Sequence, residues 1–352
     1  MLKLDEKKIR KGKPIGLPYQ GSKKKISKKI IEIIKQNFGT DRPIYDIFGG
    51  GGAITAECIL NGLEVYYNDL DKDITNAFER VISQDLEWIK TLIVSRTEFF
   101  EIKAKENKTT DDFLKLLVNS FGNSMKGFVY SKETSDLKYN LAKEIIENHD
   151  VFDGYKQTET YKKVISGSEW DWFNEKKGQS LEQLQQLQRI QSLEQLQQLD
   201  EVKATNKSYQ EFSKVSGAIL YLDPPYEGTT QDGYDDKKQK RIVKPEVYKE
   251  MRDKLLKLEK GTKIDHDGFI FSLGIDNNKN RMYYKDVSSV FDSQELYDWA
   301  FEMSKSNIVI ISSYSISDER FEAVYSFDKA RGTFQGGTRN DKCEKLFMVK
   351  NS

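Results

Sequence analysis

Residues 217–226 read Gly-Ala-Ile-Leu-Tyr-Leu-Asp-Pro-Pro-Tyr. A short apolar run suited to a buried strand ends in an acid, two prolines and an aromatic ring. Neither proline carries a backbone N–H, so Pro224 ends the strand and Pro225 stops a helix from starting at once. The turn is stiff. It presents the Asp223 carboxylate, the Pro224 carbonyl and the Tyr226 ring at the carboxyl end of a strand, where open α/β sheets bind ligands. Two acceptors beside a flat ring suit a planar group bearing an amino function, such as the amino edge of a nucleobase. A proline-rich turn is the plain alternative, so the weight of this stretch depends on its companions.

Upstream, residues 43–52 read Pro-Ile-Tyr-Asp-Ile-Phe-Gly-Gly-Gly-Gly, followed by Ala53-Ile54-Thr55-Ala56-Glu57-Cys58-Ile59-Leu60. Strand, glycine turn and helix form the first unit of a nucleotide-binding α/β sheet, because glycines let the backbone approach a cofactor closely. The next strand, Leu63 to Tyr67, ends at Asn68-Asp69. An acid at this strand tip is placed to accept from both ribose hydroxyls. Loop and acid together favour a cofactor carrying adenosine. A dinucleotide site wants a third glycine, and Ile54 stands three residues after Gly51. A cofactor without pyrophosphate is therefore preferred, and S-adenosylmethionine fits.

Composition sets outer bounds. The chain has 352 residues, 37% hydrophobic and 32% charged, which suits a soluble protein of two or three domains. No apolar run approaches the roughly 20 residues that span a bilayer, and the N-terminus lacks the apolar core of a secretory signal. The cytoplasm is the expected compartment. Two distant cysteines, Cys58 and Cys343, and two histidines, His149 and His266, argue against a metal site or a His-based triad. Net charge is zero, yet Lys7, Lys8, Arg10, Lys11, Lys13, Lys23, Lys24, Lys25, Lys28 and Lys29 crowd the first thirty residues. That cluster reads either as a solvated helix face or as a positive rim for a polyanion.

The chain also contains Pro18-Tyr19-Gln20-Gly21-Ser22-Lys23 before an isoleucine-rich helix, and Ile308 to Tyr314 followed by Phe321 and Glu344-Lys345-Leu346-Phe347. The order is aromatic–Gly–Lys, Phe-Gly-Gly-Gly, Asn-Asp, a long interval, then Asp-Pro-Pro-Tyr. It resembles Dam-type DNA adenine-N6 methyltransferases of the alpha arrangement, over most of the chain. The resemblance implies a Rossmann-like S-adenosylmethionine-dependent methyltransferase sheet with an inserted, mainly helical target-recognition domain, from a bacterial or phage source. It implies that Tyr19 and Lys23 line the methionine end of the cofactor. Phe48, Gly49 and Gly51 would pack against it, and Asp69 would hold its ribose. Asp223 would serve both the cofactor pocket and the target amine. Asp223, Pro224 and Tyr226 would be catalytic, with Tyr226 stacking on an adenine flipped out of double-stranded DNA. Gln20 and Ser22 depart from the small residues of the best-known members.

On this reading the catalytic domain is discontinuous, 14–75 and 201–350, and residues 76–180 form the recognition domain. Residues 181–200 are a Leu/Gln-rich low-complexity insert. Within it Leu181, Leu184, Leu187, Ile190, Leu193, Leu196 and Leu199 recur every three residues. On an α-helix each such step falls about 60° short of a turn, so the series winds round the axis and reads as a spacer; a 3₁₀-like stretch and a repetitive extended turn are the other conformations it allows. A further insert, 228–290, carries a polar loop near the active site and a helix from Val247 to Leu258. Amino-methylation of cytosine N4 or of RNA adenine, and a catalytically silent DNA-binding relative, stand as alternatives. Asp223 favours adenine by resemblance, and the intact Asp-Pro-Pro-Tyr run opposes silence.

Overall fold

The computed structural model describes residues 1–19, 21–166, 184–199, 202–227, 243–258, 262–266, 269–276, 279–286, 291–327 and 343–350. The chain divides into two compact units: Met1–Pro224 with Tyr297–Ser352, and Pro225–Leu296.

The first unit is built on a seven-stranded sheet. Its strands are β1 (Ile44–Asp46), β2 (Val65–Asn68), β3 (Ala204–Thr205), β4 (Ile219–Leu222), β8 (Ile308–Ser313), β9 (Phe321–Ser326) and β10 (Lys345–Val349). They lie in the order β3-β2-β1-β4-β8-β10-β9. All neighbouring pairs from β3 to β8 are parallel, and β10 runs antiparallel to both of its neighbours. Ile44 pairs with Val65 on one side and Ile219 on the other. Every residue of β4 is buried, as expected of a central parallel strand covered on both faces. This mixed α/β architecture with a mostly parallel sheet is consistent with the Rossmann-like sheet that the resemblance implies.

Helix α1 (Ser27–Phe38) supplies Ile30, Ile31, Ile33 and Ile34, all fully buried, to a cluster with Ile44, Ile54, Ile219, Tyr221 and Ile310. Helix α2 (Ala53–Leu60) starts directly after the glycine turn, with the bounds read from sequence. Its companions α3 (Lys72–Ile82), α4 (Leu86–Lys90), α5 (Arg96–Ala104), α6 (Thr110–Asn119), α7 (Ser135–Asn148) and α8 (Glu159–Ile165) fill the interval before the leucine repeat. Side chains at their starts set several boundaries: Asp71 caps α3, and Thr109 with Asp112 forms a reciprocal capping box on α6.

The leucine repeat is core, not spacer. Leu184, Leu187, Ile190, Leu193, Leu196 and Leu199 are all buried. They share one apolar cluster with Leu17, Tyr67, Phe78, Leu117 and Ile145. The spacer reading failed because it required a single apolar stripe for burial, and this segment is covered on more than one side. Helix α9 (Gln185–Glu194) lasts only ten residues and passes into a 3₁₀ turn, Gln195–Gln198. Leu196 lies in the 3₁₀ turn, while Leu187, Ile190 and Leu193 lie on the α-helix itself, which buries Gln186 as well. The glutamines work as well: buried Gln186 donates to the Val94 carbonyl and to Asn119 Oδ1, and Gln191 donates to the Val151 carbonyl. Leu181 lies outside the described residues.

The second unit places α10 (Pro245–Leu255) with an antiparallel sheet of β5 (Lys263–His266), β6 (Phe269–Asp276) and β7 (Lys279–Asp286). Val243, Met251, Leu255, Phe269, Phe271 and Met282 form its core. The sequence reading anticipated the helix but not the sheet. The polar loop at 231–241 lies outside the described residues. Helix α11 (Ser293–Met303) crosses the boundary into the first unit.

Candidate active site

Three neighbouring parallel strands each deliver a carboxylate at their carboxyl edge. Asp46 ends β1, Asp69 follows β2 and Asp223 follows β4. Side chains here differ sharply in their partners. Asp46 is buried and accepts from the Thr55 backbone N–H at 3.1 Å and from Thr55 Oγ1 at 2.7 Å. Burial pushes its pKa up to about 7, against the Thr55 bonds and with help from the charges of Asp223 and Asp69.

The glycine turn is shaped by close approach. A methyl group on Gly49 would sit 2.4 Å from Tyr67 Cε2, and one on Gly51 would sit 3.0 Å from Tyr19 Cβ and 3.2 Å from the Leu17 carbonyl. Neither position tolerates a Cβ without rearrangement. Leu17 N donates to the Gly51 carbonyl at 2.7 Å, which ties the segment before Tyr19 to the turn. Tyr19 thus lies against Gly50 and Gly51.

Asp69 is more committed than a free ribose acceptor. Its Oδ2 accepts from Gly50 N at 2.8 Å and its Oδ1 from Asp71 N at 2.8 Å. A carboxylate has lone pairs left after two such bonds, so bracing the turn and binding hydroxyls are compatible. Burial raises its pKa to about 6, opposed by the Asp71 and Gly50 N–H bonds. Asn68 is wholly structural: its amide donates to the Ile47 and Lys207 carbonyls, and its oxygen accepts from Thr205 Oγ1 and Lys207 N. Phe48 is half-buried, its ring 6.0 Å from that of Tyr209, which in turn meets Trp299 edge-on at 5.2 Å.

Lys23 sits in a 3₁₀ turn, Lys23–Lys25, whose start is capped by Ser22. Its Nζ lies 2.6 Å from Asp223 Oδ1 and 3.6 Å from Glu344 Oε1, and all three side chains are nearly buried. Glu344 also accepts from Ser312 Oγ at 2.7 Å. The sequence reading took Glu344 only as part of a closing strand; its charged surroundings, Asp341-Lys342-Cys343-Glu344-Lys345, gave no signal that set it apart. Asp46 was likewise passed over. Pro224 is buried at the end of β4, and Tyr226 is half-buried in the second unit.

The basic N-terminal cluster is partly internal. Arg10 makes a two-pronged pair with buried Glu57, Lys28 Nζ donates to the Gly12 carbonyl, and Lys29 pairs with Glu6. Lys7, Lys8, Lys11 and Lys13 remain exposed.

These residues suit S-adenosylmethionine. The glycine turn packs tightly against Tyr19, Tyr67 and Phe78 at the carboxyl edge of the sheet, and a carboxylate stands at the second strand tip. Among the described residues no helix is long and apolar enough to cross a membrane. A search of curated proteins finds no relative of this chain. The family model described as D12 class N6 adenine-specific DNA methyltransferase matches residues 19–298. That span runs from Tyr19 through the glycine turn, Asp69 and the Asp-Pro-Pro-Tyr run, in agreement with the Dam-type resemblance. The chain belongs to the D12 class N6 adenine-specific DNA methyltransferases, enzymes that transfer the methyl group of S-adenosylmethionine to adenine in DNA.

Proposed function

We propose that Asp223 and the Pro224 carbonyl hold the N6 amino group of an adenine turned out of the duplex. The observation that carries this reading is the Lys23–Asp223 pair at the carboxyl edge of β4. It joins the tyrosine–lysine segment packed on the glycine turn to the start of the Asp-Pro-Pro-Tyr run. Cofactor-facing and target-facing groups thereby meet.

The adenine N6 lone pair is delocalised into the ring, so the amine is a poor nucleophile. Accepting its two N–H bonds at Asp223 and Pro224 favours a pyramidal nitrogen and frees the lone pair. S-adenosylmethionine, when bound, supplies an electrophilic methyl group. Lys23 orients the Asp223 carboxylate, and the stiff proline turn holds the second acceptor at a fixed distance from it. The nitrogen gains a carbon and gives up a proton to Asp223 or solvent, so no nucleophilic Cys and no His base are needed. Tyr226 stacks on the flipped ring. Asp69 holds the ribose hydroxyls, Tyr19 and Lys23 face the methionine end, and Phe48, Gly49 and Gly51 pack on the cofactor. The segment 76–180 carries recognition of the DNA site.

The test is Asp223→Ala, with labelled cofactor, mixed-sequence duplex DNA and nucleoside analysis. Transfer to adenine should fall by about 100-fold or more, as for loss of a hydrogen bond aimed at the reacting group. The fold should survive, because Lys23 retains Glu344. Turnover within about threefold of wild type sinks the assignment.

A further inference from the structure

A cavity of about 370 Å³ opens on the side of Tyr19, lined by Ser22 and Lys24 from the N-terminal segment, by Asn123, and by Gln188, Arg189 and Ser192 of α9. A volume of this order takes a ligand larger than a lone phosphate. Its walls carry two cations with no acidic partner among the described residues. Lys24 Nζ donates to the Gly16 carbonyl at 3.0 Å and to Ser192 Oγ at 2.5 Å. Arg189 Nη1 donates to the Val118 and Ser120 carbonyls at 2.6 and 2.7 Å. Both keep donors beyond these bonds. Burial lowers the pKa of Lys24 to about 8 and that of Arg189 to about 10, and no carboxylate among the described residues offsets either shift. Charges taken out of water without a counter-charge are costly, and an anion in the cavity would relieve both at once.

A third group points the same way. Asn123 has φ 57, in the left-handed region, and its Oδ1 is buried with no hydrogen-bond partner among the described residues. Such an orphan costs free energy unless a ligand donates to it. Two cations and one acceptor match a phosphodiester with the sugar or base edge beside it. Neutral Ser22, Gln188 and Ser192 add hydrogen-bonding capacity without adding a competing charge.

We propose that this cavity holds one nucleotide unit of the DNA substrate, its phosphate against Lys24 and Arg189 and its sugar or base donating to Asn123 Oδ1. The inference rests on the chain acting on DNA and adds a backbone-positioning subsite. That subsite joins the N-terminal segment to the leucine-repeat helix, so this helix contacts substrate as well as filling core.

The experiment compares wild type, Lys24→Gln and Ser192→Asp in binding to duplex DNA over a range of salt, with S-adenosylhomocysteine calorimetry and thermal melts alongside. Ser192→Asp adds a carboxylate at the Lys24 ammonium and removes no cation, so it keeps the test valid if Lys24→Gln folds poorly. Both variants should lose about tenfold in duplex affinity, equally for duplexes with and without a methylated site. The slope of log affinity against log salt should shrink by about 0.9 for Lys24→Gln. Cofactor-analogue affinity should hold. A wild-type salt slope in folded variants overturns the inference. So does weakened analogue binding with intact duplex affinity, which would give the cavity to the cofactor. Competition of inorganic phosphate or a free mononucleotide for Lys24, with duplex affinity unaffected in both variants, would make it a small-anion site and also overturn it. Methylation of adenine by wild type in the same duplex is scored separately. Failure of the catalytic reading therefore shows as absent transfer, and failure of this inference as a wild-type salt slope.

Discussion

Lys23 Nζ and Asp223 Oδ1 stand 2.6 Å apart, a buried ion pair between residues remote in sequence, with Glu344 as its third member at 3.6 Å. The pair sits where the segment that covers the glycine turn reaches the end of a central strand. It couples the two halves of the candidate site mechanically as well as electrostatically.

Replacing the cation is therefore more damaging than replacing its partner. Lys23→Met removes the cation that lies between two near-buried carboxylates, Asp223 and Glu344, a defect on the order of 3–5 kcal/mol. Asp223→Asn leaves Lys23 with Glu344 and should cost less. Thermal melts of both variants check the order. Equal melting temperatures would mean that the pair contributes orientation but little stability.

Asp69→Ala should weaken S-adenosylhomocysteine binding by at least about tenfold, since it removes an acceptor and frees two backbone N–H groups, Gly50 and Asp71. Turnover at saturating cofactor should change less, because ribose contacts are the same in ground and transition states. Asp69→Asn, which keeps one acceptor oxygen, should fall between. An unchanged dissociation constant would move the ribose site elsewhere.

The leucine repeat should behave as core. Leu187→Ala or Ile190→Ala should each destabilise by about 2–5 kcal/mol, read from urea melts. Replacing residues 184–199 with a Gly/Ser linker should abolish cooperative unfolding. A linker variant that melts like wild type would place these side chains outside the fold's core.

Asp46 makes stability depend on pH. Its folded-state pKa of about 7 lies above the ordinary carboxylate value of 3.8. Between those values the folded chain holds a proton that the unfolded chain has released, so stability contributed at low pH is lost as pH rises toward 7. Asp69, at about 6, adds to the slope over the lower part of that window. Asp46→Asn cannot titrate and still accepts from Thr55. The stability difference between wild type and variant should therefore shift against wild type from pH 5 to 7 and then level off. A difference that stays flat across that range would show that Asp46 is not the titrating group.

The amino-acid sequence by itself determined the core of the catalytic sheet. Strands β1, β4 and β8 are short apolar runs, the first two stopped by glycine or proline and the third by a serine-rich stretch, and such runs mark strands buried on both faces. The glycine turn and the Asp-Pro-Pro-Tyr turn were legible for the same reason: backbone geometry at such residues is local. The sheet of the second unit was less visible, although Phe269, Phe271 and Leu273 alternate in β6 and Leu273 pairs with Met282. Tertiary structure alone decided the rest. A period of three leucines has no fixed meaning until packing decides how many sides of the segment are covered: Leu187, Ile190 and Leu193 are buried on the α-helix and Leu196 in the 3₁₀ turn that follows it. Sequence names the charges Lys23, Asp223 and Glu344 but not their meeting, because an ion pair depends on distance in space. That distance is set by the packing of a 3₁₀ turn against the ends of β4 and β8 and the start of β10.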